Sequence, residues 1–134
     1  MSETNAGARI LVVEDDVIIA YGIERQLVAW RYRVVGRVAT APEALALIDA
    51  QAPDLVLMDI RLRGPMNGID AAVEIRKHAA VPVIFVTAQA DETTLARVRR
   101  AGPAAIVAKP WAPAQLRAAI ERALAPPAGQ AAPP

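Results

Sequence analysis

The 134-residue sequence has no cysteine, few aromatic residues and no excess of charge of either sign. Without cysteine, the chain has no disulfide, thiolate zinc site, iron–sulfur cluster or cysteine nucleophile. Fifteen basic and 14 acidic residues give a formal charge of +1, which provides no electrostatic argument for binding DNA or a membrane. Targeting signals and apolar runs of membrane-spanning length are also missing. We therefore expect a cytoplasmic protein with no DNA or membrane partner.

What the chain has is a high apolar content of 54%, enough for a sizeable core in one domain. Residues 1–8 are small and polar, and we expect a flexible N-terminus there. Residues 125–134 are rich in proline and alanine and predict a disordered tail. The folded domain is expected at residues 9–124, and we expect no DNA-binding or catalytic module in the ten residues after it.

Five short apolar runs alternate with longer segments of helical periodicity. The runs are nearly continuous and rich in β-branched residues, which is typical of strands buried on both faces of a parallel sheet. Pro42 and Pro113 lie where helices should begin, since a missing N–H is tolerated there. The pattern predicts a doubly wound α/β fold. The predicted strands are Ile10–Val13, Val34–Val38, Leu55–Met58, Val81–Val86 and Ala104–Ala108.

Polar side chains follow four of these five strands. The first strand leads into Glu14–Asp16, the third into Asp59, the fourth into Thr87 and the fifth into Lys109. In open parallel sheets, functional groups gather beyond the carboxyl ends of the strands. If the strands lie in the order 2-1-3-4-5, these side chains converge on one pocket.

Three clustered carboxylates repel one another, and Mg²⁺ would relieve that repulsion. The oxygen of Asp59 can then act as a nucleophile toward a phosphoryl group. Thr87 offers a hydroxyl donor, and Lys109 offers a compact, movable positive charge for a phosphoryl oxygen. Lys109 is one of only two lysines, beside 13 arginines. The set predicts a site that forms an aspartyl phosphate.

Each of these residues also has a simpler interpretation. Asp15 or Asp16 could cap the first helix. Asp59, Thr87 and Lys109, taken singly, could be polar loop residues. Their coincidence at four strand ends favours the functional interpretation.

Four motifs resemble the receiver domains of two-component response regulators. The resemblance spans most of the chain and implies a flavodoxin-like fold with a five-stranded parallel sheet in the order 2-1-3-4-5. It also implies a signalling phosphoacceptor in a phosphorelay, not an enzyme acting on other molecules. The motifs are ILVVEDD (Ile10–Asp16), LVLMDIRL (Leu55–Leu62), VIFVTA (Val83–Ala88) and AKP (Ala108–Pro110).

The resemblance assigns the phosphoacceptor and the metal ligands. Asp59 matches the residue that is phosphorylated. Asp15 matches a direct Mg²⁺ ligand, and Glu14 matches one that acts through water. Arg61 occupies the position whose backbone carbonyl completes the metal site together with Asp59.

The resemblance also assigns the phosphate contacts and exposes two departures. Thr87 matches the switch hydroxyl, and Lys109 matches the phosphate-binding lysine, with a cis peptide expected at Lys109–Pro110. Ile106 stands where the family usually has an aromatic switch residue, so the output step is expected to differ. Arg31 stands where glycine is common after the first helix, implying a strained residue or a different cap. Gln89 flanks the entrance to the site.

The expected partners are a histidine kinase or phosphotransfer protein as donor, an unknown downstream protein, and, through weak association, a second copy. Two alternatives remain open. One is a receiver-shaped scaffold that binds proteins without phosphorylation, which the missing switch aromatic favours. The other is a flavin or nucleotide binder of the same topology. That binder would need a glycine-rich loop after the first strand, where this chain has acidic residues.

Overall fold

The computed structural model describes residues 6–88 and 91–125. The predicted termini are therefore described only in part, and Gln89 lies outside the described residues. Strands and helices alternate along the chain, as the apolar pattern predicts. They are β1 (Arg9–Val13), α1 (Val17–Ala29), β2 (Arg33–Val38), α2 (Ala41–Gln51), β3 (Leu55–Met58), α3 (Gly68–His78), β4 (Val83–Thr87), α4 (Glu92–Arg100), β5 (Ala105–Ala108) and α5 (Pro113–Leu124).

The five strands form one sheet in the order β2-β1-β3-β4-β5, and every neighbouring pair is parallel. The predicted fold class and strand order are both confirmed. The predicted start of the fourth strand at Val81 is wrong, because β4 begins at Val83. Pro82 has no N–H to donate to a ladder, and only its carbonyl pairs, accepting from Val56 N at 3.0 Å.

Both faces of the sheet are covered by helices. On one face, α2, α3 and α4 pack around the fully buried Phe85 of β4. On the other face, α1 and α5 contribute the fully buried Leu27 and Leu116 to the core. All residues of β3 and β4 are buried, as expected for central strands of a parallel sheet. Among the described residues, no helix combines the length and hydropathy needed to cross a membrane.

Asp16 caps α1. Its Oδ1 accepts hydrogen bonds from the backbone N–H groups of Ile18 at 2.9 Å and Ile19 at 3.1 Å. Asp16 therefore acts as a helix cap, which is the simpler of the interpretations given for the acidic residues after β1. Arg31, just past α1, adopts φ 70° in the left-handed region. Of the two alternatives expected there, a strained residue or a different cap, the backbone shows the strained residue.

Replacing Asp16 with Ala should lower the free energy of unfolding by about 1 kcal/mol, because two N–H groups at the start of α1 lose their acceptor. Urea unfolding would measure the change. Asp49→Ala is the matched control, since Asp49 is exposed near the end of α2. A carboxylate near a helix C-terminus is unfavourable, so this control should not lose stability. Equal losses in both variants would contradict the capping role.

Candidate functional site

The polar residues that follow the strands meet at one edge of the sheet. Two backbone hydrogen bonds extend the ladder by one residue beyond the strands: Asp59 N donates to Val13 O, and Lys109 N donates to Thr87 O, both at 3.0 Å. Asp59 and Lys109 are therefore anchored where the strands end, beside Glu14, which follows β1. Thr87, the last residue of β4, is 2% exposed.

Lys109 forms ion pairs with two buried carboxylates. Its Nζ lies 2.6 Å from Glu14 Oε1 and 2.8 Å from Asp59 Oδ2. The exposed fractions of these side chains are 15% for Lys109, 3% for Glu14 and 9% for Asp59. One ammonium group therefore joins the ends of β1, β3 and β5 and partly offsets two negative charges.

The electrostatics of the site favour a cation. Burial raises the pKa of Glu14 above its usual value, outweighing the hydrogen bonds from Lys109 and from the Asp16 backbone. Burial opposes the charged form of Lys109, but hydrogen bonds to Asp59 and Glu14 outweigh it and leave the pKa of Lys109 raised. Lys109 therefore stays positively charged, and the carboxylates still repel each other.

Backbone amides hold the remaining carboxylate oxygens. Ile60 N donates to Asp59 Oδ1 at 2.7 Å, and Asp16 N donates to Glu14 Oε2 at 3.1 Å. Each carboxylate thus has one oxygen on an amide and the other on Lys109. The orientation of the Asp59 carboxylate is therefore fixed from both sides. Its hydrogen bond from the Ile60 amide was not predicted from the sequence.

Asp15 adds a third carboxylate to the site. Glu14, Asp15 and Asp59 each offer an oxygen, and these three oxygens lie within 4.8 Å of one another. Such a set of hard oxygen donors fits Mg²⁺, which binds one or two carboxylates while keeping waters. Arg61 lies two residues after Asp59 in the loop following β3, and the ligand role of its carbonyl stays a prediction.

The loop between β3 and α3 is tied to the neighbouring loop between β2 and α2. Arg63 N donates to Ala39 O at 3.0 Å, and Thr40 and Arg63 form an isolated parallel bridge. Gly68 then begins α3 against the backbone that follows β3, with Gly68 N donating to Ile60 O at 2.7 Å. No pattern in the sequence indicates the loop pairing, and Gly68 is marked only as a glycine near the start of a helix.

The resemblance also concerns β5 and the segment that follows it. The Lys109–Pro110 peptide is cis, as expected. Trp111 follows it, with its indole N–H donating to Gln26 Oε1 of α1 at 3.2 Å. Ile106 is half-buried in β5, pairs in register with Phe85 and packs against the core on the α3 side of the sheet.

Comparison with protein families identifies this arrangement. The family model for the response regulator receiver domain matches residues 10–121. The transcriptional regulatory protein PdtaR of Mycobacterium tuberculosis is 34% identical over 116 residues, covering 87% of this chain and 56% of that protein. The phyllosphere-induced regulator PhyR of Methylorubrum extorquens is 35% identical over 116 residues, covering 86% and 43%. The chain thus spans about half the length of these curated relatives.

Solved structures agree with the family match. The signal receiver domain of a modulated diguanylate cyclase from Desulfovibrio desulfuricans superposes with a TM-score of 0.83 at 32% identity, covering 88% of this chain and 94% of that one. A putative response regulator from Chloroflexus aurantiacus gives a TM-score of 0.83 at 30% identity, covering 90% and 99%. The chain belongs to the response regulator receiver domain family, the signalling domains of two-component systems.

Proposed function

We propose that this receiver domain accepts a phosphoryl group on Asp59 in a Mg²⁺-dependent reaction. The observation that carries the proposal is the pairing of Lys109 with both Asp59 and Glu14, at 2.8 and 2.6 Å. A buried carboxylate with a cation beside it and two further carboxylates around it suits a site that gains and loses a phosphoryl group. A merely structural ion pair would not need the third carboxylate.

Phosphoryl transfer to this site needs positioning and charge more than covalent chemistry from the protein. An Asp59 oxygen forms the new bond to phosphorus while the bond from phosphorus to the donor's leaving group breaks. Ile60 N–H keeps Oδ1 oriented, and the ammonium of Lys109 neutralises a phosphoryl oxygen. Thr87, at the end of β4, donates a hydrogen bond from its hydroxyl to another phosphoryl oxygen.

The same edge of the sheet would hold the metal. Glu14, Asp15 and Asp59, with the carbonyl of Arg61, are the residues we assign to Mg²⁺. When bound, Mg²⁺ offsets the charge of the carboxylates and of the incoming phosphoryl group.

Acetyl phosphate tests this function without a protein partner. Incubation with Mg²⁺ should add one phosphoryl group to the intact protein by mass spectrometry, and EDTA in place of Mg²⁺ should prevent the addition. If no adduct forms with acetyl phosphate or phosphoramidate, the phosphoacceptor proposal fails. The remaining hypothesis is then the scaffold that binds proteins without phosphorylation.

A histidine kinase or phosphotransfer protein is the donor we propose, and an apolar patch on α1 is the surface that would meet it. Val17 is 69% exposed, Ile18 83% and Tyr21 49%, all near the start of the helix that follows Glu14 and Asp15. Helical spacing puts Tyr21 on the same side as Val17 and Ile18. A protein that delivers a phosphoryl group to Asp59 must come close to this first turn.

The variant Ile18→Ala should lower transfer from a histidine-phosphorylated donor about tenfold, the effect of losing about 1.4 kcal/mol at an interface. Its rate with acetyl phosphate should not change, because this small donor needs no protein surface and the side chain of Ile18 is largely exposed to solvent. The donor would be selected from a panel of purified, phosphorylated kinases and phosphotransfer domains. Val73→Ala, at an apolar residue 42% exposed on α3, is the control and should leave both rates unchanged. Equal transfer to wild type and Ile18→Ala would exclude the patch as the donor surface.

We also propose that phosphorylation changes a surface of this domain that binds a downstream protein. The relatives named above are both called regulators, which supports a role in signalling to a downstream protein. Ile106 has no ring to reorient, so the conformational change we propose is a repacking of β5 and α4 around an aliphatic side chain. Weak dimerisation through such a surface remains part of this proposal.

A further inference from the structure

We infer that Gly68 is a positioning residue for Asp59: its lack of a side chain allows the peptide unit between Asp59 and Ile60 to hold the carboxylate. This inference rests on the proposed phosphoacceptor role of Asp59. It concerns a residue that lies nine positions further along the chain, at the start of α3. No polar group of Gly68 reaches the carboxylate itself.

The contact is steric and specific to one peptide unit. A Cβ at Gly68 would lie 2.0 Å from Asp59 O, 2.9 Å from Asp59 C and 3.0 Å from Ile60 Cα. These three atoms belong to the same planar unit. The N–H of that unit donates to Asp59 Oδ1 at 2.7 Å. Anything that displaces the plane therefore displaces the amide that orients the phosphoacceptor.

Conformational freedom does not explain the glycine. Gly7, Gly64 and Gly102 have positive φ, whereas Gly68 is an ordinary helical residue. Alanine would normally favour the helix at this position. The close approach of the Asp59–Ile60 peptide is what excludes a side chain here.

The geometry also limits how the clash can be relieved. Gly68 N donates to Ile60 O at 2.7 Å, so α3 is held against the same segment. Asp59 N is held by Val13 O at 3.0 Å. A new Cβ must open the 2.0 Å separation to at least 3.0 Å, a movement of about 1 Å. A misplacement of that size in a reacting group lowers rates on the order of 100-fold.

The test compares Gly68→Ala with Gly22→Ala, because a Cβ at Gly22 in α1 would meet nothing within 4 Å. Gly68→Ala should accept phosphate from acetyl phosphate on the order of 100-fold more slowly than wild type, whereas Gly22→Ala should match wild type. In ¹H–¹⁵N spectra without metal, the Ile60 amide proton should move upfield in Gly68→Ala alone, as its hydrogen bond to Asp59 lengthens. A role confined to stability would not produce that pairing of a slower rate with a shifted Ile60 amide.

Two outcomes would overturn the positioning role. The first is a Gly68→Ala variant with an unchanged Ile60 amide and an unchanged rate. The second is rapid hydrogen exchange of the Ile60 amide in the wild-type protein, where we expect this amide to be protected. This measurement needs no variant, so it tests the inference even if Gly68→Ala does not fold. If wild type takes up no phosphate, the proposed function fails, and the amide shift still decides whether Gly68 positions Asp59.

Discussion

Asp59→Asn should eliminate phosphoryl transfer from acetyl phosphate, while the protein remains folded. The amide of asparagine has no carboxylate oxygen to attack phosphorus, although its Oδ1 still accepts from the Ile60 N–H. The substitution also removes one of the negative charges that surround Lys109. We therefore expect the free energy of unfolding to be unchanged or higher, by urea titration.

The matched control for this variant is Asp49→Asn, the same chemical change at an exposed position on α2. It should accept one phosphoryl group at the wild-type rate. A phosphorylated Asp59→Asn protein would show that another side chain accepts the group. Glu14 and Asp15 are the nearest alternatives, since their oxygens lie within 4.8 Å of Asp59.

Lys109→Met should destabilise the protein by about 3 kcal/mol at neutral pH, because removing one partner of a buried ion pair leaves the other charges uncompensated. Glu14 and Asp59 would then face each other without the ammonium that lies 2.6 and 2.8 Å from them. The loss should shrink as the pH falls, because burial already raises the pKa of Glu14 and protonation removes the repulsion. Urea unfolding at several pH values would measure it.

Magnesium should recover part of this stability. A ligand that binds only the folded state at 100 times its Kd adds about 2.7 kcal/mol. Without a competing ammonium, the free energy of unfolding of Lys109→Met should rise more on adding Mg²⁺ than that of wild type does.

The other lysine supplies the control for Lys109→Met. Lys77 pairs with Glu74 on the surface of α3 at 3.0 Å, and Lys77→Met should change the free energy of unfolding by less than about 1 kcal/mol. Similar losses in both variants would contradict the role assigned to Lys109.

Much of this site could be predicted from the sequence because parallel strands share one carboxyl edge. Given the strand order 2-1-3-4-5, Asp59 and Lys109 lie at the same edge because each follows an apolar run. The strand order itself was predicted from the resemblance to receiver domains, and the sheet confirms it. The largest error at a strand boundary was the start of β4, because the apolar run continued through Pro82, which cannot donate to the ladder.

What the sequence could not provide were contacts that depend on backbone positions. Nothing in the residues near Asp59 indicates that the Ile60 amide holds its Oδ1, or that Gly68 must approach that peptide. The pairing of Arg63 with Ala39 joins two loops far apart in the chain and follows no residue pattern. The double ion pair of Lys109 likewise needed distances, since a lysine after a strand fits a solvated loop equally well.

Reductive mapping of the phosphorylated protein tests the central claim most directly. Borohydride converts an aspartyl phosphate to homoserine, and peptide sequencing by mass spectrometry then locates the modified residue. After treatment with acetyl phosphate and Mg²⁺, we predict homoserine at position 59 and an unmodified aspartate at position 15. Homoserine at another aspartate, or an adduct that borohydride does not reduce, would contradict the assignment of Asp59 as the phosphoacceptor.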